Sequence, residues 1–393
     1  MKKLIVLLLS TLFLFASARY ISPLPLPQTQ FMNLDTYECN DYCLRRFLQN
    51  EQYFSFLAHL DPQKAKDFHV EYNRLAQLLH LTPLEVGKAV KITLIVHENL
   101  KRVATKSMKA LLSYLLAQDV KFESTTKLIP NGAPLSQYIE PDSFNIIIAT
   151  IYDKDDMANM PSMQSIYIPT LNKNSLGVQS YAQFGGIDYF KQLRALKSFM
   201  NQNVAIFYLQ DSPLSQELTN YFVANSSGKR VKTYALKKDD KNAARYIKDN
   251  GYLKNASILF NTPLVKTAMI VSQMNYYNIE SNSKFSTQIN LNEKFFDLLH
   301  PKLRNGFFFA NAIGPLPQKV DGFAQLIGEN IDFNWIEYST ICGSDAILAQ
   351  HGLQRLFHEP LVNGQLEYDT HILQATRYNL FDFQKPQESS QEF

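Results

Sequence analysis

The chain has 393 residues, of which 46% are apolar and 19% charged, with a formal net charge of +3. So small a charge excludes the broad basic footprint of a nucleic-acid binder. The 27 Phe and 21 Tyr are ample for a large core, and the length exceeds what one core usually supports, so at least two lobes are expected.

Lys2 and Lys3 form a short basic region, residues 4–15 are an apolar run, and Ala16, Ser17 and Ala18 place small residues at a cleavage-type site. Residues 1–18 read as a secretory signal peptide. The competing reading is an uncleaved anchor, but this run is shorter than the roughly 20 residues that span a bilayer. No Cys stands at the cleavage site, which closes the lipid-anchored route there. No later segment has enough uninterrupted apolar length to span. The mature chain is therefore expected to be periplasmic, with no transmembrane span, and loss of the two lysines lowers its net charge from +3 to +1.

Residues 19–36 carry Pro23, Pro25 and Pro27 and read as an extended leader. Cys39 and Cys43 follow, with Cys342 the third cysteine. Three are too few for a structural zinc site, which takes four ligands. Two readings of the pair stay open, a local disulfide clipping the start of a helix and a pair of free thiols. Residues 37–88 show helical stripes through Leu44, Phe47 and Leu48, then Phe54, Leu57 and Leu60, then Phe68, Tyr72, Leu75 and Leu79. Such short helices are expected to need the main body, or a partner, to complete a core.

From residue 91 the pattern alternates. Strands are expected at 91–96, 120–125, 144–149 and 165–169, with a helix over 99–117. A second series places strands at 204–209, 231–236, 256–260 and 286–290, and helices at 213–224, 242–248 and 264–276. Short uninterrupted apolar runs of this kind suit parallel sheets covered on both faces. The final third holds a buried strand in 306–313, then Gly343, Ser344 and Asp345, read as a helix N-cap with an acidic first turn. A Gly-turned hairpin over 360–369 and a strand near 377–383 close the chain.

Enzyme readings find little. There is no phosphate-binding glycine loop, and Gly343-Ser344-Asp345 does not match a nucleophile elbow. The eight His are scattered; His351 and His358 lie seven apart on one plausible helix, without an acidic residue to complete a metal set. No catalytic residue, metal or cofactor is expected.

The closing sequence, residues 306–313, 343–349, 360–369 and 377–383, resembles the C-terminal end of the type I periplasmic binding protein fold, the family of branched-chain amino-acid binding proteins. The resemblance implies two doubly wound α/β lobes joined by three crossovers, near 184–187, 306–314 and 360–363. Lobe 1 would comprise residues 89–185 and 306–359, and lobe 2 residues 186–305 and 360–385, with a polar tail at 386–393. Ligands bind open α/β sheets at the carboxyl ends of strands. The loop residues to weigh there are Thr150, Tyr152, Thr170, Asn172, Asp188, Asp211, Asn261 and Thr262. In the amino-acid binders a hydroxyl takes the ligand carboxylate, a role Thr150 would fill, and an acid takes the ammonium, a role for Asp211. Asn and Asp are equally at home as caps and turn formers.

Two departures matter. After residue 209 the family usually carries a Gly-containing turn, whereas here Gln210-Asp211-Ser212-Pro213 has no Gly and a Pro that removes an amide. The helices ahead of residue 89 instead resemble the domain order of outer-membrane activators of peptidoglycan synthases. Two functions are therefore expected to compete. One is a protein-binding accessory of a cell-envelope machine for peptidoglycan synthesis, secretion or a flagellar motor, with an envelope protein as partner. The other is a receptor for an amino acid or other small polar ligand.

Overall fold

A computed structural model describes residues 31–35, 37, 39–60, 68–79, 81, 89–163 and 165–383. The expected signal peptide, nearly all of the leader and the polar tail lie outside them. Among the described residues no helix is long and apolar enough to cross a membrane. The chain divides into two compact units, residues 1–88 and 89–393.

The first unit contains helices α1 (Asp41–Gln49), α2 (Tyr53–His59) and α3 (His69–Leu79). Asn40 caps α1, its side chain accepting from the Cys43 amide at 3.1 Å, and Cys39 and Cys43 are joined as a disulfide across this first turn. Leu44, Phe56, Leu57, Leu60, Phe68 and Leu75 pack together as a small core. This corrects the expectation that these helices have none of their own. The striped residues meet each other because their stripes face inward together.

The second unit holds two seven-stranded sheets. Strands β1 (Val90–His97), β2 (Phe122–Ile129), β3 (Phe144–Ile148), β4 (Ile166–Ile168) and β5 (Gln183–Phe184) come first. Strands β6 (Asn203–Leu209), β7 (Arg230–Leu236), β8 (Ser257–Asn261), β9 (Ser283–Ser286) and β10 (Phe307–Asn311) follow. The chain closes with β11 (Leu361–Val362), β12 (Gln365–Leu366), β13 (His371–Ala375) and β14 (Leu380–Asp382). The sheet orders are β11-β12-β5-β4-β3-β1-β2 and β14-β13-β10-β9-β8-β6-β7. The longer helices are α4 (Lys101–Gln118), α5 (Tyr189–Lys197), α6 (Pro213–Ala224), α7 (Leu264–Tyr276), α8 (Gln318–Leu326) and α9 (Trp335–Leu348).

Residue chemistry sets the order of strands. β3 and β8 are buried along their whole length and lie inside their sheets, as apolar runs with two covered faces must. The outer strands β2 and β7 are largely exposed and carry Glu123, Lys127, Arg230 and Lys232, charges that blunt an open edge. Pro213 stands in the first turn of α6 beneath its Ser212 cap, where a missing N–H costs nothing.

Five expectations are corrected. Phe307–Asn311 pairs with β9 and β13 in the second sheet, not in the first lobe, because its Phe307 and Phe309 fill the second lobe's core. The hairpin β11–β12 pairs through β12 with β5 in the first sheet, so residues 361–366 do not belong to the second lobe. The strand expected at 286–290 lies earlier, at Ser283–Ser286, followed by a 3-10 turn. Ser344 and Asp345 sit inside α9, not at its start: both side chains are buried, and the Asp345 carboxylate accepts the Leu356 and Phe357 amides at 2.9 and 3.0 Å. His351 ends a 3-10 turn after α9 and His358 lies in irregular chain, so the two share no helix.

Candidate functional site

The chain passes between the two sheets three times, and the register says where. It leaves the carboxyl end of β5 at Gly185–Asp188, the carboxyl end of β10 at Ala312–Pro317, and the carboxyl end of β12 at Glu367–Thr370. β13 runs antiparallel to β10, with Asn311 opposite His371, so the third crossing also enters at a carboxyl edge. The crossings thus gather where open α/β sheets present their functional loops.

Buried polar side chains tie these crossings together. The Gln288 side chain accepts from Gln192 at 3.0 Å and from the Ala312 amide at 2.7 Å, and donates to Asn311 at 2.9 Å. Gln192 in turn accepts the Gln288 amide at 2.9 Å. Asn311 accepts from the Ile313 amide and donates to the Ile313 carbonyl. The first crossing is tied to the third by the Tyr368 hydroxyl, which donates to the Gly185 carbonyl at 2.6 Å, and by Lys191, which donates to the Tyr368 carbonyl. Tyr167 is wholly buried and donates to the Ser339 carbonyl at 2.7 Å. Its ring fits only because Gly185 and Gly343 lack side chains: a Cβ on Gly343 would stand 1.9 Å from the ring. Burial pushes the Tyr167, Tyr338 and Tyr368 hydroxyls well above the usual tyrosine range, so they stay protonated donors.

A cavity of about 570 Å³ opens between the second and third crossings. Ala312, Leu316, Leu356 and Phe357 supply apolar wall, and Lys191, His358, Glu359, Glu367, Asp369 and His371 supply polar groups. Asp345 shapes this wall by holding the Leu356 and Phe357 amides and by its 3.2 Å ion pair with Arg355. Burial raises the Asp345 carboxyl above the usual range, against the pull of those amides and of Arg355. Glu359 accepts from the Tyr338 hydroxyl.

Of the eight residues expected at the strand ends, Asn172 and Asp188 border one small crevice beside the crossings, the others are dispersed, and seven are engaged within the fold. The Thr170 hydroxyl donates to the Ala149 carbonyl and accepts its amide. Asn172 donates to the Gly186 carbonyl at 2.8 Å and accepts the Asn174 amide. Asp188 caps α5 through the Lys191 amide at 2.9 Å and lies 3.6 Å from Arg194. Tyr152 donates to the Leu176 carbonyl at 3.3 Å, and Asp211 accepts the Lys238 amide at 2.9 Å. Asn261 donates to Thr219 at 3.0 Å, and the Thr262 and Thr267 hydroxyls lie 2.8 Å apart. Thr150 is exposed, with no hydrogen bond from its hydroxyl among the described residues. None of the eight lines the large cavity.

No family model matches the sequence, and no curated protein matches it. Solved structures do. One is the branched-chain amino acid transporter substrate binding protein LivJ from Streptococcus pneumoniae, in complex with isoleucine. It has 11% identity, a TM-score of 0.57, and a match covering 75% of this chain and 98% of that one. A branched chain amino acid ABC transporter from Thermus thermophilus with bound valine matches at 11% identity and TM-score 0.53, covering 77% and 98%. LpoA from Haemophilus influenzae matches at 10% identity and TM-score 0.50, covering 83% of this chain and 66% of that one. The fold is that of the type I periplasmic binding proteins.

Within the type I fold, sequence reasoning passed over the residues that tie the crossings, namely Lys191, Gln192, Gln288, Asn311 and Tyr368. The available signal was polar side chains bordering apolar strand runs, as at Asn311 after the Phe307–Phe309 run. At identities near a tenth, the fold is what the likeness carries.

Proposed function

We propose that this is an exported, non-enzymatic protein of the type I fold that acts as a protein-binding accessory or scaffold of a cell-envelope machine. The observation that carries the reading is the internal use of the polar side chains at the strand ends. Seven of eight hold loops in place, so few donors or acceptors converge on a small solute there. The buried amide network around Gln288 supports it as well, since each of its members is paired and the crossings it ties would lose hydrogen bonds by shearing. The helical unit ahead of the type I fold and the likeness to LpoA agree with this role.

The second reading, a receptor for an amino acid or other small polar solute, is favoured by one observation. The cavity of about 570 Å³ falls within the usual size of small-molecule sites, roughly 300–1,000 Å³. His97 Nε2, Asn261 Oδ1 and Thr287 Oγ1 are buried near strand ends without hydrogen-bond partners among the described residues. They are sealed, however, and line none of this cavity.

Thermal unfolding of the mature protein against amino acids, peptides, sugars and muropeptides separates the two. A solute at one hundred times its dissociation constant adds about 2.7 kcal/mol. The accessory reading expects no shift, and expects a photocrosslinker at Glu367 in intact cells to capture one discrete envelope protein. A shift that Thr150→Ala or Glu367→Ala abolishes would make the protein a receptor and sink the accessory role.

A further inference from the structure

Lys284 breaks the pattern of its sheet. It sits on β9, an interior strand, with Ile258 of β8 and Phe307 of β10 as its in-register neighbours. Both neighbours belong to the aromatic core of the second lobe, and parallel strands in register present these three side chains on one face. A charged residue is out of place in such a row unless it is paired or put to use. Lys284 is partly buried, and its ammonium makes no hydrogen bond or ion pair among the described residues. Gly306, with φ +72°, leaves room beside it: a Cβ there would stand 4.0 Å from Nζ.

The side chain reaches a pocket of about 310 Å³. The pocket is bounded by the end of α7, the loop into β9 and the turn at Lys302–Leu303, away from the carboxyl-end crossings. Lys302 adds a second ammonium, and Asn275, Asn278 and Ser281 add uncharged donors. Met274 and Ile279 give it an apolar side, and Glu280 is its one acidic residue. We propose that this pocket is a binding site for a small anion, a carboxylate or a phosphate, held between Lys284 and Lys302. An anion would supply the partner that the fold withholds from Lys284 and would be met by amide and hydroxyl donors. Consistent with this, burial alone lowers the Lys284 ammonium to about 8, so charge returned by a bound anion would be read as an upward shift.

The test follows the ¹³Cε titration of Lys284 in the full mature protein labelled with ¹³C-lysine, using Lys284→Met to assign the signal. Sodium phosphate and sodium butyrate are compared with sodium chloride at equal ionic strength. The expected result is a Lys284 midpoint raised by about one pH unit by phosphate, butyrate or both, with exposed lysines unmoved and the shift at least halved in Lys302→Ala. A response to phosphate alone assigns a phosphoryl ligand, and a response to butyrate alone assigns a carboxylate. Midpoints equal in all three salts, or a shift undiminished in Lys302→Ala, overturn the site.

Discussion

Arg304 and Lys284 are both cations set into the cover of the second lobe's core, and the fold treats them in opposite ways. Arg304 is 8% exposed, and each of its three guanidinium nitrogens is bonded within the fold. Its guanidinium donates to the carbonyls of Leu299 at 2.7 Å, of Arg377 at 2.5 Å and of Phe296, and lies 5.2 Å from the Phe296 ring. It ties the 296–299 segment and the turn at Arg377 to its own helical turn, where no regular ladder joins them. Lys284, on β9 and 20 residues earlier in the chain, gathers nothing. A cation whose every nitrogen is bonded within the fold is part of the architecture, whereas one left open in a pocket is a place for something from outside. The amide and tyrosine side chains that tie the crossings obey the first rule, which is why they argue for a built joint and not for a solute site.

The largest effect that would break this contrast lies at the joint. Gly343→Ala should cost upwards of about 3 kcal/mol in urea denaturation, because the new methyl would overlap the Tyr167 ring with no room to retreat. A loss below 1 kcal/mol would mean the joint yields. Next, Arg304→Met should cost about 3 kcal/mol, since three carbonyls, the buried one of Leu299 among them, lose their donor, while Lys284→Met should be neutral or stabilising by up to about 1 kcal/mol, since it removes an unpaired, partly buried charge. Equal losses in the two would erase the distinction. A smaller, pH-dependent effect belongs to Glu337. Burial raises its carboxyl to about 7, opposed by Lys106 at 3.6 Å and aided by Glu329. A carboxyl with a raised folded pKa binds protons that the unfolded chain has released, so its contribution to stability falls as pH rises from about 4.5 to 7. Glu337→Gln should flatten that part of the pH–stability curve, and an unchanged slope would place the titration elsewhere. Last, Thr150→Ala, at an exposed position without a partner, should change stability by under about 0.5 kcal/mol.

Much of the fold was legible because its signals are local. The apolar run at 144–149 can only be an interior strand, and the Ser212-Pro213 opening of α6 and the end of α7 at Tyr276 fall where caps and periodicity place them. The hairpin at 361–366 was equally clear as a hairpin, with Asn363 and Gly364 both at positive φ, but alternation does not say which sheet receives it. Partners distant in sequence were the hidden part. Nothing near Asp345 announces amides 11 and 12 residues later, and nothing near Asp211 announces Lys238. Residues read as solute contacts were loop ties for that reason. Lys284 escaped notice because β9 was expected at 286–290, which left the lysine outside the strand and unremarkable.

The interleaved strand order has a consequence for how the chain is made. The first sheet waits for β11 and β12, and the second for β13 and β14, all drawn from residues 361–382. Neither lobe can close on itself while the chain is still being extended, although domains generally fold in turn from the N-terminus during synthesis. Only the small disulfide-clipped helical unit is free of that wait. A stop codon before residue 361 would therefore leave not one intact lobe and one damaged lobe but two open sheets, each with an unpaired interior strand ready to associate with a neighbouring chain.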